Sequence, residues 1–323
     1  MTQLPVLYSF RRCPFAMRAR WALLQAGLLV QWREVALKHK PAEMLQASAK
    51  GTVPVLVLGD GRVIDESLEV MHWALAQADP RGLLQNRDSG TLIAENDGPF
   101  KHHLDRFKYT DRYPGETTET HQRAGLAILR EWSRQIDQHG WLLSDRASLA
   151  DGALWPFVRQ WRIANPEGFD HDDQLKPLRN WLRRFLEDPL FERLMQRADP
   201  WDPAGAQPHF PADAIAVPLT QPLFHLALEA DWRTATRDGA YRISTRGLRL
   251  EQVGFIHCSW EEQLLGTYER FYSDAGDVLL LEIDPKLVNA PLRADAAPTG
   301  DLFPHLYGAL PLKAVREVAP FRT

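Results

Sequence analysis

Cys13 is the side chain in this sequence best placed to react. It lies in Ser9-Phe10-Arg11-Arg12-Cys13-Pro14-Phe15-Ala16-Met17-Arg18, just after the apolar run Leu4-Pro5-Val6-Leu7-Tyr8. Proline suits the first position of a helix, where its missing N–H would have no partner anyway. Pro14 therefore makes Cys13 the N-cap of a helix that Gly27 ends. An N-cap thiol receives main-chain N–H groups and the positive end of the helix dipole. Arg11 and Arg12 add positive potential. A thiol titrating near about 8.5 in water is expected to ionise more easily there, and the thiolate is the nucleophile. The alternative is a half-buried cysteine packed against a sheet. The other cysteine in the sequence, Cys258, is far away along the chain, so a dithiol mechanism is not open to Cys13.

Two further pieces would give such a thiol something to hold. Gly51-Thr52-Val53-Pro54-Val55 places a proline at the start of a strand. In a thioredoxin-like sheet that proline is cis, and the residue before it pairs with an extended peptide ligand. Taken alone, Val53-Pro54 fits an ordinary edge proline equally well. At Glu66-Ser67 a helix should begin, where N–H groups and a hydroxyl can hold a carboxylate and Glu66 can take an amine. Alone, Ser67 is a helix cap. The joint pattern suits the amino-acid end of a γ-glutamyl group.

The elements that must position these residues follow from the pattern of the chain. Residues 1–80 alternate strand and helix in the order βαβ then ββα, with Gly59-Asp60-Gly61 as a hairpin turn. Across 88–200 the strand signals vanish, and helices are expected over Glu95–Phe107, Gln122–His139, Ser148–Asn165 and Lys176–Leu186. Ser148-x-x-Asp151 is a capping box opening a helix that carries Pro156 in its interior. The segment 201–222 is dense in proline and reads as an interdomain linker. Residues 223–323 return to mixed strands and short helices, with strands expected over Leu223–Leu226, Gly254–Cys258, Val278–Ile283 and Ala314–Val318. The fold class is thus multidomain: a thioredoxin-like α/β domain, an all-α domain and a small α+β domain.

The last segment has its own candidates. His225, His257 and His305 each lie on an apolar run, in Leu223-Phe224-His225-Leu226, Phe255-Ile256-His257-Cys258 and Phe303-Pro304-His305-Leu306. Each alone also fits a satisfied core histidine. Zinc with Cys258 lacks the tightly spaced ligand pairs of preorganised sites, so no metal is assigned. Ser259-Trp260-Glu261-Glu262 reads as another capping box, with Leu264, Leu265, Tyr268 and Phe271 of the following helix turned inward.

At 323 residues the chain is long enough for two or three compact units. A net charge of -4 argues against a general nucleic-acid binder. No apolar run approaches the roughly 18 residues of a membrane helix, and the N-terminus lacks the pattern of a secretory signal. Two distant cysteines fit a reducing, cytoplasmic setting.

Residues 4 to about 200 resemble the cysteine-dependent omega type of glutathione transferase. The resemblance is carried by Arg12-Cys13-Pro14-Phe15-Ala16, Leu37-Lys38-His39-Lys40-Pro41, Val53-Pro54-Val55-Leu56, Glu66-Ser67 and Ser148-Leu149-Ala150-Asp151 with Trp155-Pro156-Phe157. It implies that Cys13 is the reactive thiol and that Phe15, Lys40, Val53, Pro54, Glu66 and Ser67 form the glutathione site. Within that set Lys40 would approach the glycine carboxylate, and Glu66 and Ser67 would hold the γ-glutamyl end. Arg159 would border the second-substrate pocket, and a homodimer is the family's habit. Residues 223 to 321 resemble a small bacterial family known as domain of unknown function 952, near the ADP-ribosyltransferase fold. Phe224-His225-Leu226, Gly254-Phe255-Ile256-His257-Cys258-Ser259, Leu281-Glu282-Ile283-Asp284 and Phe303-Pro304-His305-Leu306-Tyr307-Gly308 carry that likeness. It implies an NAD or ADP-ribose ligand, with His225 leading the three histidines.

The expected function is thiol transfer and reduction with glutathione as cosubstrate, through a Cys13–glutathione mixed disulfide. The other substrate is a small electrophile or mixed disulfide. The rivals are a non-catalytic binding or sensor protein on the same fold, and an ADP-ribosyl-handling C-terminal effector under redox control.

Overall fold

The computed structural model describes residues 4–86 and 88–322. The chain gathers into two compact units: the first holds residues up to Ser9, Ala22–Gly82 and Ala198 onward, the second Phe10–Trp21 and Leu83–Arg197.

The N-terminal part of the chain runs β1 (Val6–Ser9), α1 (Pro14–Gln25), β2 (Val30–Glu34), α2 (Ala42–Ala47), β3 (Val55–Val57), β4 (Val63–Ile64) and α3 (Ser67–Gln77). This is the thioredoxin-like order read from the sequence. β1 pairs in parallel with β2 and antiparallel with β3, and β4 closes a hairpin on β3. Every residue of β1 is buried, as a central strand of an apolar run should be.

The helical part contributes α4 (Ser89–Glu95), α5 (Lys101–Lys108), α6 (Thr118–His139), α7 (Leu149–Ala164), α8 (Pro166–Asp170), α9 (Lys176–Leu186) and α10 (Pro189–Leu194). The single helix expected over Glu95–Phe107 is instead α4 and α5 joined by a π-helical turn, Asn96–Phe100. Pro99 lies inside that turn and has no N–H to give a regular ladder. α7 is buried over most of its length, Pro156 included, and opens on the expected capping box. Asp151 accepts from the Ser148 amide at 2.8 Å, the Ser148 hydroxyl at 2.7 Å, the Leu142 amide at 3.1 Å and the Trp181 indole at 2.8 Å. These bonds knit the start of α7 to the Trp141 turn and to α9.

The proline-rich segment 201–222 is not a plain linker. It carries β5 (His209–Phe210) and β6 (Ala214–Ala216). β5 adds antiparallel to β2, making the first sheet five-stranded in the order β4-β3-β1-β2-β5. Trp201 N–H donates to the Glu34 carbonyl at 2.8 Å and Trp32 N–H to the Pro208 carbonyl at 2.7 Å. The Arg33 guanidinium lies 3.9 Å from the Trp201 ring centroid. Proline spacing hid two short extended runs that complete neighbouring sheets.

The C-terminal fold continues with β7 (Leu223–Leu228), α11 (Glu229–Asp238), β8 (Ala240–Tyr241), β9 (Ile243–Thr245), β10 (Leu248–Arg249), α12 (Leu250–Val253), β11 (Ile256–His257), α13 (Leu264–Phe271), β12 (Val278–Ile283), β13 (Leu292–Ala296), β14 (Leu302–Leu306), β15 (Leu310–Pro311) and β16 (Val315–Pro320). A three-stranded sheet, β16-β12-β7, and a four-stranded sheet, β11-β14-β13-β6, contribute to one apolar core containing Leu223, Leu281 and Ile283 from one and Ile256, Ala294 and Leu306 from the other. The capping box is set one residue later than read: the Gln263 side chain accepts from the Trp260 amide at 3.0 Å. Leu264 is buried, but Leu265 and Phe271 face outward.

Contacts among the described residues tie this fold to the thioredoxin-like part. Arg293 donates to the Leu28 carbonyl at 3.2 Å, and Arg81 to the Val253 carbonyl at 3.1 Å. Gly27, at φ +69°, lies under the Tyr307 ring, where an added Cβ would sit 2.0 Å from the ring carbon. No helix among the described residues is long and apolar enough to cross a membrane.

Candidate functional site

The thiol sits where the sequence placed it. Cys13 precedes the first helical residue, Pro14, with its amide on the Phe10 carbonyl at 3.0 Å and its carbonyl accepting from Met17 at 2.9 Å. The N–H groups of Ala16 and Phe15 donate to the sulfur and favour the thiolate, as the N-cap argument requires. Burial is the larger effect, however, and pushes the Cys13 thiol above its ordinary value. The expected depression is therefore not met.

The cations also differ from expectation. Arg20 and Lys101 act on Cys13 to lower its pKa. The Arg12 guanidinium turns over the Phe10 ring, 5.6 Å from its centroid. The main chain of Arg11 and Arg12 is also engaged: Arg20 donates to the Arg11 carbonyl at 2.6 Å and Gln160 to the Arg12 carbonyl at 3.1 Å. Those bonds hold the loop in front of the thiol. Lys101, on α5, reaches Cys13 only through folding, whereas Arg20 stands on α1 itself, seven residues on, a helical spacing that the sequence did offer.

Phe15 packs edge-on against Phe157 at 4.9 Å. Buried Arg18 lies over both rings while forking onto Asp97 at 2.9 and 2.6 Å and donating to the Ala153 carbonyl at 2.7 Å. Arg159 is half-buried over the Phe191 ring, and burial together with neighbouring Arg11 pushes its pKa down.

Of the expected glutathione-site residues, Lys40, Val53, Pro54, Glu66 and Ser67 lie in the first unit and Phe15 in the second. The Val53–Pro54 bond is cis. Lys40 borders the same turn, since a Cβ at Gly51 (φ +61°) would meet its Nζ at 3.5 Å. Glu66 is the N-cap of α3 and is exposed, while Ser67 is buried. Lys50, which the sequence reading passed over, bridges Asp65 at 2.9 Å and Glu66 at 2.5 Å, and Ser48 donates to Asp65 at 2.6 Å. Tyr8 is buried, and its hydroxyl accepts from Arg33.

The three C-terminal histidines converge. A cavity of about 290 Å³ is lined by His225, His257 and His305, by the hydroxyl residues Ser244, Thr245, Ser259 and Thr267, and by Arg270 and Phe303. Strand register brings this about: His257 of β11 pairs directly with His305 of β14, and their rings meet edge to face at 4.9 Å. His225 Nδ1 bonds the His257 carbonyl at 2.6 Å and its Nε2 the Tyr241 hydroxyl at 3.0 Å. Both nitrogens are thus engaged, and burial pushes this imidazole down to about 4. His257 is pushed down by burial and by its two histidine neighbours. Cys258, on the same lining, is pushed up to about 12 by burial.

Behind His305 stands a group that sequence reading missed. Asp295 Oδ2 accepts from His305 Nδ1 at 2.9 Å and from the Tyr307 hydroxyl at 2.6 Å, and its Oδ1 accepts from Arg293 at 2.8 Å. A carboxylate on Nδ1 selects the tautomer with its lone pair on Nε2. The signal was available, because Arg293 and Asp295 alternate as His305 and Tyr307 do, and Arg293 pairs with His305 across the ladder.

Comparison with known proteins finds family-model matches over three stretches of the chain. The family model described as glutathione S-transferase, N-terminal domain, matches residues 7–82, and that for the C-terminal domain matches 103–184. A model described as a protein of unknown function (DUF952) matches 226–318. Glutathione S-transferase omega-1 of Sus scrofa is 41% identical over 204 residues, covering 58% of this chain and 79% of the relative. The rat omega-1 protein is 26% identical over 200 residues, covering 57% and 77%. Among solved structures, a glutathione transferase family member from Pseudomonas fluorescens with two glutathiones bound matches at TM-score 0.53 and 16% identity, over 60% of this chain and 93% of its own. Glutathione transferase Omega 3C from Trametes versicolor matches at TM-score 0.51 and 19% identity, over 62% and 88%. The chain belongs to the glutathione S-transferase family, with a sheet-rich DUF952 domain appended.

Proposed function

We propose that the protein is a glutathione-dependent thiol transferase and reductase of the omega type, working through a Cys13–glutathione mixed disulfide. The observation that supports this reading most is a cysteine at the head of α1 with two main-chain N–H groups donating to its sulfur. Cys13 loses its proton to solvent and attacks the glutathione sulfur of a substrate–glutathione disulfide. The S–S bond breaks, the substrate leaves as a thiolate that takes a proton from water, and Cys13–S–S–glutathione forms. A second glutathione thiolate attacks the glutathione sulfur of that disulfide, releasing glutathione disulfide and restoring Cys13. Cys258 is not a resolving thiol, because it is buried in the C-terminal core. Phe15, Lys40, Val53, Pro54, Glu66 and Ser67 are the candidate glutathione site, and Arg159 the candidate border of the second-substrate pocket. Turnover of a small glutathione mixed disulfide by the full chain tests this. Loss in Cys13→Ser supports it, and full activity in that variant overturns it in favour of a non-catalytic binding protein.

A second reading concerns the C-terminal cavity. Convergence of His225, His257 and His305, with Asp295 behind His305, favours a small-molecule site with one histidine set for proton transfer. NAD or ADP-ribose is the candidate ligand. Calorimetry of the full chain with each tests it: saturable heat lost in His305→Ala supports the reading, and no heat from either ligand removes it.

A further inference from the structure

Away from the thiol and from the C-terminal cavity, three more imidazoles meet in the helical domain. His102 and His103 stand in the first turn of α5, and His121 in the first turn of α6. One ring nitrogen from each falls within 4.8 Å of the other two. The ring centroids are 5.0, 5.6 and 5.2 Å apart, and His103 Nδ1 lies 2.9 Å from His121 Nδ1. His102 is exposed, His103 half-buried and His121 buried, so the cluster is anchored at its base and open at its top.

A carboxylate sets the chemistry of the buried member. Glu116 Oε2 lies 2.7 Å from His121 Nε2, and Arg106 holds Glu116 at 3.1 and 2.9 Å through its Nε. An ionised carboxylate only accepts, so His121 carries its proton on Nε2 and presents the Nδ1 lone pair to His103 and His102. A carboxylate behind a histidine whose other nitrogen faces further histidines is the arrangement that orients metal ligands.

We propose that His102, His103 and His121 form a binding site for a divalent transition metal, zinc in the first instance, with Glu116 as the carboxylate that orients His121. Three imidazole ligands suit zinc, copper or nickel, whereas magnesium and calcium take oxygen ligands. Zinc–nitrogen bonds of about 2.0–2.1 Å place tetrahedral ligand nitrogens roughly 3.3 Å apart. The His103–His121 pair need open only slightly, and exposed His102 can rotate to close the set. Water would hold the fourth position on the open side. The site clips α5 to α6 across the Tyr109–Thr117 connection.

The test uses full-length, tag-free protein in a Cys13→Ser background, stripped with chelator, titrated with zinc chloride by calorimetry and with cobalt(II) by visible absorption. One zinc per chain is expected, with cobalt bands of four- or five-coordinate geometry. His103→Ala and His121→Ala should abolish saturable binding, and Glu116→Gln should weaken it about 10- to 100-fold at unchanged stoichiometry. His102→Ala, at an exposed position, serves where His121→Ala fails to fold, and should weaken binding and alter the cobalt spectrum. No saturable binding, or undiminished binding in His102→Ala and His103→Ala, overturns the proposal. So does binding that is lost instead in His257→Ala or His305→Ala.

Discussion

Arg293 donates to the main-chain oxygen of Leu28 at 3.2 Å, across 265 positions of sequence. The same guanidinium meets Asp295 at 2.8 Å and the Tyr307 hydroxyl at 2.5 Å, and its side chain is fully buried. One cation therefore satisfies the turn after α1, the acid behind His305 and the ring over Gly27. Removing one partner of a buried pair strands the other, so Arg293→Met should cost about 3–5 kcal/mol of stability in urea unfolding. Arg293→Met with Asp295→Asn should be less destabilised than Arg293→Met alone. Additive losses would show that the two side chains are not coupled.

The Cys13 thiol should be sluggish at neutral pH. Burial outweighs the N–H groups, Arg20 and Lys101, and raises the Cys13 thiol above its ordinary value. Iodoacetamide modification of Cys13, followed by mass spectrometry across pH, should rise later than that of free cysteine. Lys101→Ala should move the profile higher still. An inflection below that of free cysteine would contradict the burial seen here.

Acid should weaken the C-terminal fold through His225. Its pKa is depressed from 6.5 to about 4 in the folded state, so the unfolded chain takes up the proton first as pH falls. The stability from keeping this ring neutral is fully present above about 6.5 and is lost as pH falls toward about 4. Urea midpoints across that window should fall with pH, and His225→Gln should flatten the slope. An unchanged slope would assign the loss to other groups.

Asp151 anchors the helical domain. Asp151→Ala would strand the amides of Ser148 and Leu142 and the Trp181 indole, for a loss of about 3 kcal/mol or more. Urea unfolding checks this, and a change within about 0.5 kcal/mol would mean that the site relaxes or hydrates freely.

Much of the thiol site was legible in the sequence because it is local. Cys13-Pro14 at a strand-to-helix turn, Val53-Pro54 before β3 and Ser148-x-x-Asp151 each carry their geometry within a few residues. His225, His257 and His305 were readable one at a time, but their meeting depends on the β11–β14 register. What escaped is what folding brings together. Lys101 acts on Cys13 from outside its motif, and burial reverses the direction expected for its pKa. Asp295 hid in a polar-apolar alternation, and β5 and β6 hid among prolines whose density suggested only a tether.

The strand β5 has a practical consequence for anyone dividing this protein. A cut near residue 200 would strip the cover from β2. The Trp32 and Glu34 main-chain groups that Pro208 and Trp201 now engage would face water, and the Arg33 guanidinium would lose its indole. An unprotected edge strand is a template for another chain. The shortened protein would thus present an adhesive margin, and light scattering should find it self-associating where the full-length chain keeps that margin closed.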